Sequence, residues 1–349
     1  MKSEDINIGI IGASGYTGSD LMRIALKHPS IKLKHISANN HAGKNIADLF
    51  PHFNGVSSLM LNKWEDLNWN DVDVIFSCLP HGLFHEIISK LPSNKTIIDL
   101  SADFRLNDKN LYPEWYEFNH KSNSMLKQFE YGLTEINREN IKKSNLIACP
   151  GCYPTATLLG LHPLLINGLI LCDQIIIDAK SGLSGAGRTA RKDLLYSEVA
   201  ESIRPYSASG THRHIPEIEQ EINKYSKGSA KINFIPNLVP MNRGELVTMH
   251  VKFIESLDIN DLYNVFRSSY EGEDFIQILK PGEFANTINV RGTNNCQISV
   301  LPSRIENSAV IISSIDNLVK GSSGQAIQNM NLLFGIDESV GLENIALFP

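Results

Sequence analysis

The chain has little cysteine: five residues among 349, at positions 78, 149, 152, 172 and 296. A set so small and scattered excludes a disulfide framework and points to a reducing, cytoplasmic compartment. Cys149 and Cys152 stand close together but no second ligand pair accompanies them, so no metal site is expected. Long apolar runs are also missing. No stretch approaches the roughly 20 residues that a membrane span requires, and the opening Met1-Lys-Ser-Glu-Asp-Ile-Asn7 lacks the basic-then-apolar order of a signal peptide. Basic charge is not in excess: a net charge of −6 leaves no basic footprint for nucleic acid. Internal repeats and low-complexity segments are absent. What remains, 42% hydrophobic and 20% charged, is a globular composition, and the length implies two domains.

Through the first 150 residues short apolar runs alternate with amphipathic stretches. Residues 6–11, 32–37, 72–79, 96–100 and 146–149 read as strands. Residues 19–27 and 83–91 carry helical spacing, the second through a stripe of Leu83, Phe84, Ile87, Ile88 and Leu91. This alternation predicts an α/β fold with a doubly wound, Rossmann-type parallel sheet over 1–150. From about residue 175 the runs lengthen, at 231–235, 246–253, 296–301 and 309–315, with helices at 217–224 and 259–270. They predict a second, α+β domain over 151–319 on a mixed, largely antiparallel sheet. A helix over 320–349 is expected to complete the first domain.

Gly12-Ala-Ser14-Gly15-Tyr16-Thr17-Gly18 joins the first strand to the first helix. Glycines at such a turn let the backbone approach a pyrophosphate, which then rests on the helix N-terminus. The spacing is G-x-x-G-x-x-G, weaker as a motif than G-x-G-x-x-G, and a tight turn without ligand would use the same residues. After the second strand, Ser37-Ala-Asn-Asn-His-Ala-Gly-Lys44 offers no Asp or Glu for a ribose 2′-hydroxyl. Small polar residues with a lysine suit a 2′-phosphate, favouring NADP over NAD.

Cys149-Pro-Gly-Cys152-Tyr-Pro-Thr155 runs into an apolar helical stretch. Pro154 suits a first helical turn, where unpaired N–H groups and the macrodipole favour a thiolate at Cys152. Beside a dinucleotide loop, such a nucleophile predicts covalent hydride chemistry on an acyl group. A small core cysteine and a Cys149–Cys152 redox pair are the other readings of these residues.

Thr211-His212-Arg213-His214-Ile-Pro-Glu217 gathers donors and a carboxylate before a helix. A solvated loop is the ordinary reading of such a cluster, but this nucleophile needs an acid/base partner. His214 is the candidate, with His212 second. The loop Lys180-Ser181-Gly182 to Arg188 could hold a phosphoryl or carboxylate group on backbone N–H groups, or merely connect. Asp99–Arg105 and Cys78-Leu-Pro80-His81-Gly82 end first-domain strands, where open α/β sheets place ligands. The second is expected to line a nicotinamide pocket.

Together these segments resemble the N-acetyl-γ-glutamyl-phosphate reductase family of semialdehyde dehydrogenases over nearly the whole chain. Tyr131–Glu135, Pro240–Gly244 and Asp316–Asn329 add to the match, and Pro150–Thr155 with His212–Glu217 is its most specific part. The resemblance implies Cys152 as nucleophile, His214 as acid/base, and substrate roles for Tyr206, His212 and Glu217. Ser181 and Gly182 join the substrate site, and Arg105, Arg188 and Arg213 are the candidates for the substrate's α-carboxylate. Asn317 is the implied nicotinamide contact. The resemblance further implies an acyl-phosphate substrate, NADPH as cofactor, and a homodimer or homotetramer in arginine biosynthesis. An enzyme for aspartyl or carrier-bound aminoadipyl phosphate, and a non-catalytic NADP-binding thiol sensor, are the rivals. The chain departs from the family pattern at Cys149, usually Asn, at Asn237, usually His, and near Ala38, where a basic residue is frequent.

Overall fold

The computed structural model describes residues 5–226 and 230–348. The chain divides into two compact units, Met1–Pro150 with Ser322–Glu343, and Gly151–Gly321 with Asn344–Pro349.

The first unit runs β1 (Ile6–Ile11), α1 (Tyr16–Ala25), β2 (Ile31–Ser37), α2 (Ile46–Leu49), β3 (Val74–Ser77), α3 (Phe84–Ile87), β4 (Thr96–Asp99), α4 (Leu111–Tyr116), β5 (Glu130–Tyr131), α5 (Thr134–Ile141) and β6 (Leu146–Ala148). Its strands form one six-stranded parallel sheet in the order β2-β1-β3-β4-β6-β5. Every residue of β3 is buried, as a strand covered on both faces must be. Beside the sheet lies a core of Trp69, Phe84, Phe104, Tyr112 and Phe129. Parallel pairing brings the loops after β1, β2, β3, β4 and β6 to one edge, and these are the segments singled out from the sequence.

The second unit opens with α6 (Cys152–Ile166), a helix apolar on every side and buried nearly throughout. It continues through β7 (Ile175–Ser181), α7 (Tyr196–Val199), β8 (Arg204–Pro205), α8 (Ile215–Ile222), β9 (Ile232–Leu238), β10 (Glu245–Lys252), α9 (Ile259–Ser269), β11 (Ile276–Ile278), β12 (Cys296–Pro302) and β13 (Ser308–Ile315). The seven-stranded sheet has the order β11-β12-β13-β10-β7-β9-β8. It is mixed, with β7/β9 and β11/β12 parallel and the remaining pairs antiparallel. β10 alternates buried and open positions, and Met249 on its covered side packs against Gly160 of α6. The chain then returns to the first unit as α10 (Gly324–Leu333).

Three expectations need correction. The helix expected over 320–349 is a wider turn at Val319–Ser323 that runs into α10 and stops there: Gly335, at φ +65°, turns the chain left-handed just beyond it. Residues 344–349 join the second unit, where Leu347 N–H donates to the Arg291 carbonyl at 3.2 Å; Pro349 itself lies outside the described residues. The helical stripe over 83–91 yields only the short α3 and a tighter turn at Ile88–Lys90, because Pro92 disfavours a helical Leu91. The two-residue β5 was too short to show a pattern.

Candidate active site

In the first unit the Gly12–Gly18 turn has the features a pyrophosphate needs. Gly12 sits at φ +86°, and a Cβ there would lie 2.7 Å from the Cys78 carbonyl, so only glycine lets these loops meet. The Gly12 and Ala13 N–H groups donate to the Ser37 carbonyl at 3.0 and 2.8 Å, fixing the turn to the end of β2. Gly15 caps α1 without a side-chain hydrogen bond, no acidic residue occupies the first turn, and a Cβ on Gly15 would meet nothing nearer than 3.9 Å. An N-terminus with open room and no competing carboxylate suits a dinucleotide diphosphate. Ser14 lies in this turn, and Tyr16, Thr17 and Gly18 open α1 directly after it.

The turn after β3 is locked to the loop after β4. Gly82 and His85 N–H groups donate to the two Asp103 oxygens at 2.7 and 3.0 Å, and Ala102 N–H donates to His81 Nδ1 at 2.9 Å. His81 therefore carries its proton on Nε2, and Pro80 precedes it in the same turn. Asp99 is fully buried and accepts from Ser101 N–H and Oγ–H at 3.0 and 2.7 Å. Burial, with the Asp103 charge adding to it, pushes its carboxyl up to about 7. Arg105 donates from Nε to the Cys149 carbonyl at 2.7 Å and from Nη2 to the Leu100 carbonyl at 2.9 Å, clamping two strand-end loops. Cys149 is buried beneath them, with the Asn329 amide donating to its sulfur at 3.7 Å. Burial holds its thiol up at about 12. One carboxylate escaped the sequence: Glu65 reaches the loop after β2, accepting from Asn39 Nδ2 at 3.2 Å.

In the second unit Cys152 is the first residue of α6, after a Gly151 cap with no side-chain hydrogen bond and before a first turn without acidic residues. Gly151 N–H donates to Glu217 Oε1 at 2.8 Å, tying the start of α6 to α8. His214 immediately precedes α8, and its Nε2 comes so near Gly151 that a Cβ there would lie only 2.5 Å away. Behind it, His214 N–H donates to His212 Nδ1 at 3.2 Å. Burial, and then the Arg213 charge, lower His212 to about 3, so it stays neutral at physiological pH. This demotes His212 from acid/base understudy to support. Tyr206 donates its hydroxyl proton to the Tyr153 hydroxyl at 3.1 Å, and both rings pack edge-on to His212. Cys152, His214, His212, Glu217 and Tyr206 thus gather around one helix start.

Ser181 ends β7 and Gly182 follows it, with Gly182 N–H donating to the Gly244 carbonyl at 2.9 Å. The Asn317 amide accepts from Gly244 N–H at 2.8 Å and donates to Ser184 Oγ at 3.0 Å, buttressing these turns. The departure at Asn237 is absorbed locally by donation to Asp178 Oδ1 at 2.9 Å. Sequence reasoning missed Tyr153, Gly321 and Glu245. A Cβ on Gly321 would stand 2.8 Å from Cys152 Cβ, and Glu245 is a wholly buried carboxyl interacting with the Cys152 thiol. Each was hidden because its neighbour is remote in sequence. Among the described residues no group of three or more His, Cys, Asp or Glu could hold a metal ion, and no helix is long and apolar enough to cross a membrane.

Comparison with known proteins matches both halves of the chain. Residues 7–144 fit the NAD binding domain of semialdehyde dehydrogenases, and residues 152–317 fit their dimerisation domain. A probable N-acetyl-γ-glutamyl-phosphate reductase from Arabidopsis thaliana, named as chloroplastic, is 47% identical over 99% of this chain and 86% of its own. The N-acetyl-γ-glutamyl-phosphate reductase of Geotalea daltonii is 43% identical over 99% of this chain and all of its own. Among solved structures, aspartate semialdehyde dehydrogenase II of Vibrio cholerae superposes with a TM-score of 0.74 at 18% identity, covering 95% of this chain and 99% of its own. That likeness establishes the fold. Identity above 40% along nearly the whole length establishes more: the chain belongs to the N-acetyl-γ-glutamyl-phosphate reductase family of semialdehyde dehydrogenases.

Proposed function

We propose that this chain reduces N-acetyl-γ-glutamyl phosphate to N-acetylglutamate 5-semialdehyde and phosphate, with Cys152 as nucleophile and His214 as acid/base. The observation that carries the reading is the helix start at which Cys152 heads α6 while His214 Nε2 lies against Gly151. Cys152 Sγ attacks the acyl carbon and phosphate departs, leaving a thioester on the protein. The Cys152 and Tyr153 N–H groups head the helix, where the helix itself gives them no partner, and they face the charge that develops on the acyl oxygen. Bound NADPH supplies the hydride that reduces the thioester carbonyl. His214 then gives a proton to Cys152 Sγ as the C–S bond breaks and the aldehyde departs, and takes that proton back in the reverse direction. Glu217 holds Gly151 in place, and Tyr206 and His212 shape the acyl pocket.

The cofactor's residues are Gly12, Ser14, Gly15, Tyr16, Thr17, Gly18, Ser37, Pro80, His81 and Gly82, with Asn317 contributing to the nicotinamide side. Arg105, Arg188 and Arg213 are the cations available to the α-carboxylate. A homodimer or homotetramer fits the dimerisation-domain match, and a cytoplasmic location fits five free thiols. The thiol-sensor alternative is disfavoured by the buried, high-pKa Cys149. The aspartyl alternative draws support only from fold likeness at 14–18% identity.

The test follows NADPH formation from N-acetylglutamate 5-semialdehyde, NADP and phosphate. Turnover that requires phosphate and vanishes in Cys152→Ala, with NADP binding retained, is expected. Phosphate-independent turnover, or an active Cys152→Ala variant, would refute the reading.

A further inference from the structure

β10 places Glu245, Val247, Met249 and Val251 on its buried side. Val247 and Met249 are what a strand under a helix requires. Glu245 instead carries a carboxyl with no exposed surface, and neither oxygen has a hydrogen-bonding N–H or O–H donor. Its strand neighbours offer none: Glu245 lies opposite Ser181 on β7 and Ile315 on β13, and Ser181 Oγ–H donates to the Gly182 carbonyl. Ser314 Oγ–H bonds the Glu245 main-chain carbonyl at 3.1 Å and leaves the side chain alone. The facing Ile315 and Cys152 both border Gly321, where a Cβ would stand 3.2 Å from Ile315 Cδ1 and 2.8 Å from Cys152 Cβ, so the carboxyl lies on the side of the sheet that meets the Cys152 thiol, which favours its ionised form. A buried carboxyl with no N–H or O–H donor has no role in holding the sheet together.

We propose that Cys152 and Glu245 form a proton-sharing pair, the thiol proton passing to a Glu245 carboxylate oxygen when the thiolate forms. The S–H bond breaks as the O–H bond forms, so the pair carries one negative charge before and after. Burial raises Glu245 to about 8, so its carboxylate holds a proton far more readily than an ordinary glutamate does. The inference rests on Cys152 being the nucleophile. It divides the proton work: Glu245 takes the proton of the attacking thiol, and His214 supplies the later one to the departing group.

Other titratable groups surround the pair. Tyr153 from α6 and Tyr206 before α8 both feel the Glu245 charge, and burial holds both phenols above their usual range. Arg243, two residues before Glu245, pairs with Asp316 at 3.2 Å. Lys180 and Asp178 pair with each other at alternate, partly open positions of β7. Lys320 precedes the Gly321 that packs on Cys152, with its ammonium 5.5 Å from the Phe275 ring centroid.

The pair titrates as a unit, with macroscopic steps that belong to both groups. The experiment measures the pH dependence of Cys152 alkylation by iodoacetamide in the full chain, read at the Cys152 peptide by mass spectrometry. Wild type should show one stage more than Glu245→Gln. Above about pH 8.5 the ionised Glu245 opposes the thiolate, so wild type should alkylate about tenfold more slowly than the variant. A stage contributed by His214 or Tyr206 persists in both proteins; one contributed by Glu245 disappears. Glu245→Met, apolar and of similar reach, replaces the glutamine variant if that fails to fold. Superposable profiles in wild type and a folded variant would overturn the proposal. Because alkylation is read without turnover, this failure is distinct from an active Cys152→Ala, which would overturn the nucleophile assignment instead.

Discussion

Gly151→Ala isolates the placement of His214. Gly151 has φ −66° and ψ 160°, a conformation any residue adopts, so alanine introduces no backbone strain there. Its only new atom would lie 2.5 Å from His214 Nε2, 2.8 Å from Cε1 and 3.0 Å from Cδ2. Ordinary contact begins at 3.4 Å, so the ring must retreat by about 0.9 Å. Retreat is hindered, because Tyr153 and His212 pack on the ring at centroid distances of 5.9 and 4.9 Å. A misplacement of about 1 Å costs on the order of 100-fold in rate, equivalent to about 2.7 kcal/mol of barrier. Overpacking should cost a further 1–3 kcal/mol or so of stability. Steady-state kinetics of phosphate-dependent NADPH formation should therefore show kcat reduced about 100-fold. Affinity for NADP should be unchanged, because the glycine turn belongs to the other unit. A folded variant retaining kcat within about threefold of wild type would refute the placement of His214 beside the nucleophile.

His214→Asn should lower kcat by about 10²–10⁴-fold and change KM far less; a loss confined to KM would reassign His214 to substrate binding. His162 in α6 has a buried, unpartnered Nδ1, and burial lowers it to about 4. Its folded value lies below its unfolded one, so its neutral form contributes stability above about pH 6.5 that is lost as pH falls toward 4. His162→Leu should remove that acid sensitivity, gaining at most about 2 kcal/mol at pH 5 relative to pH 8, read from denaturant melts at both pH values; equal gains at both would refute it. Cys149→Ser should lose activity to peroxide at the wild-type rate and recover equally with dithiothreitol, because a thiol held near 12 supplies almost no thiolate. Slower recovery or faster over-oxidation in the variant would show that Cys149 protects Cys152.

The helix start at Cys152, the place of His214 before a helix and the glycine turn between β1 and α1 were legible because each is a short segment whose geometry is local. Cys152 follows a glycine and opens a helix, and His214 stands before a proline-initiated helix. The first sheet was legible for a similar reason, since buried parallel strands read as apolar runs. What stayed hidden depends on register. Glu245 begins a strand, where a carboxylate ordinarily reads as solvated, and only pairing with β7 and β13 turns it inward. Glu65 reaches Asn39 across 26 residues, which no motif encodes. Helix lengths suffered where a single residue decided them, as Pro92 and Gly335 did.

The return of α10 to the first unit has a consequence for synthesis of the chain. Asn329 accepts from Thr134 Oγ–H at 2.8 Å and donates to the Gly132 carbonyl at 2.8 Å, and Arg138 holds Glu338 at 2.7 Å. These bonds join α5 and its approach to residues made almost two hundred positions later. On a ribosome adding roughly 5–20 residues per second, the N-terminal unit waits about 10–40 s for its last helix. The stretch Gly151–Gly321 is contiguous and emerges whole in the meantime. The half of the chain translated first therefore waits for α10 until Gly151–Gly321 has emerged, and the surfaces of α1 and α5 that α10 covers stay open until then.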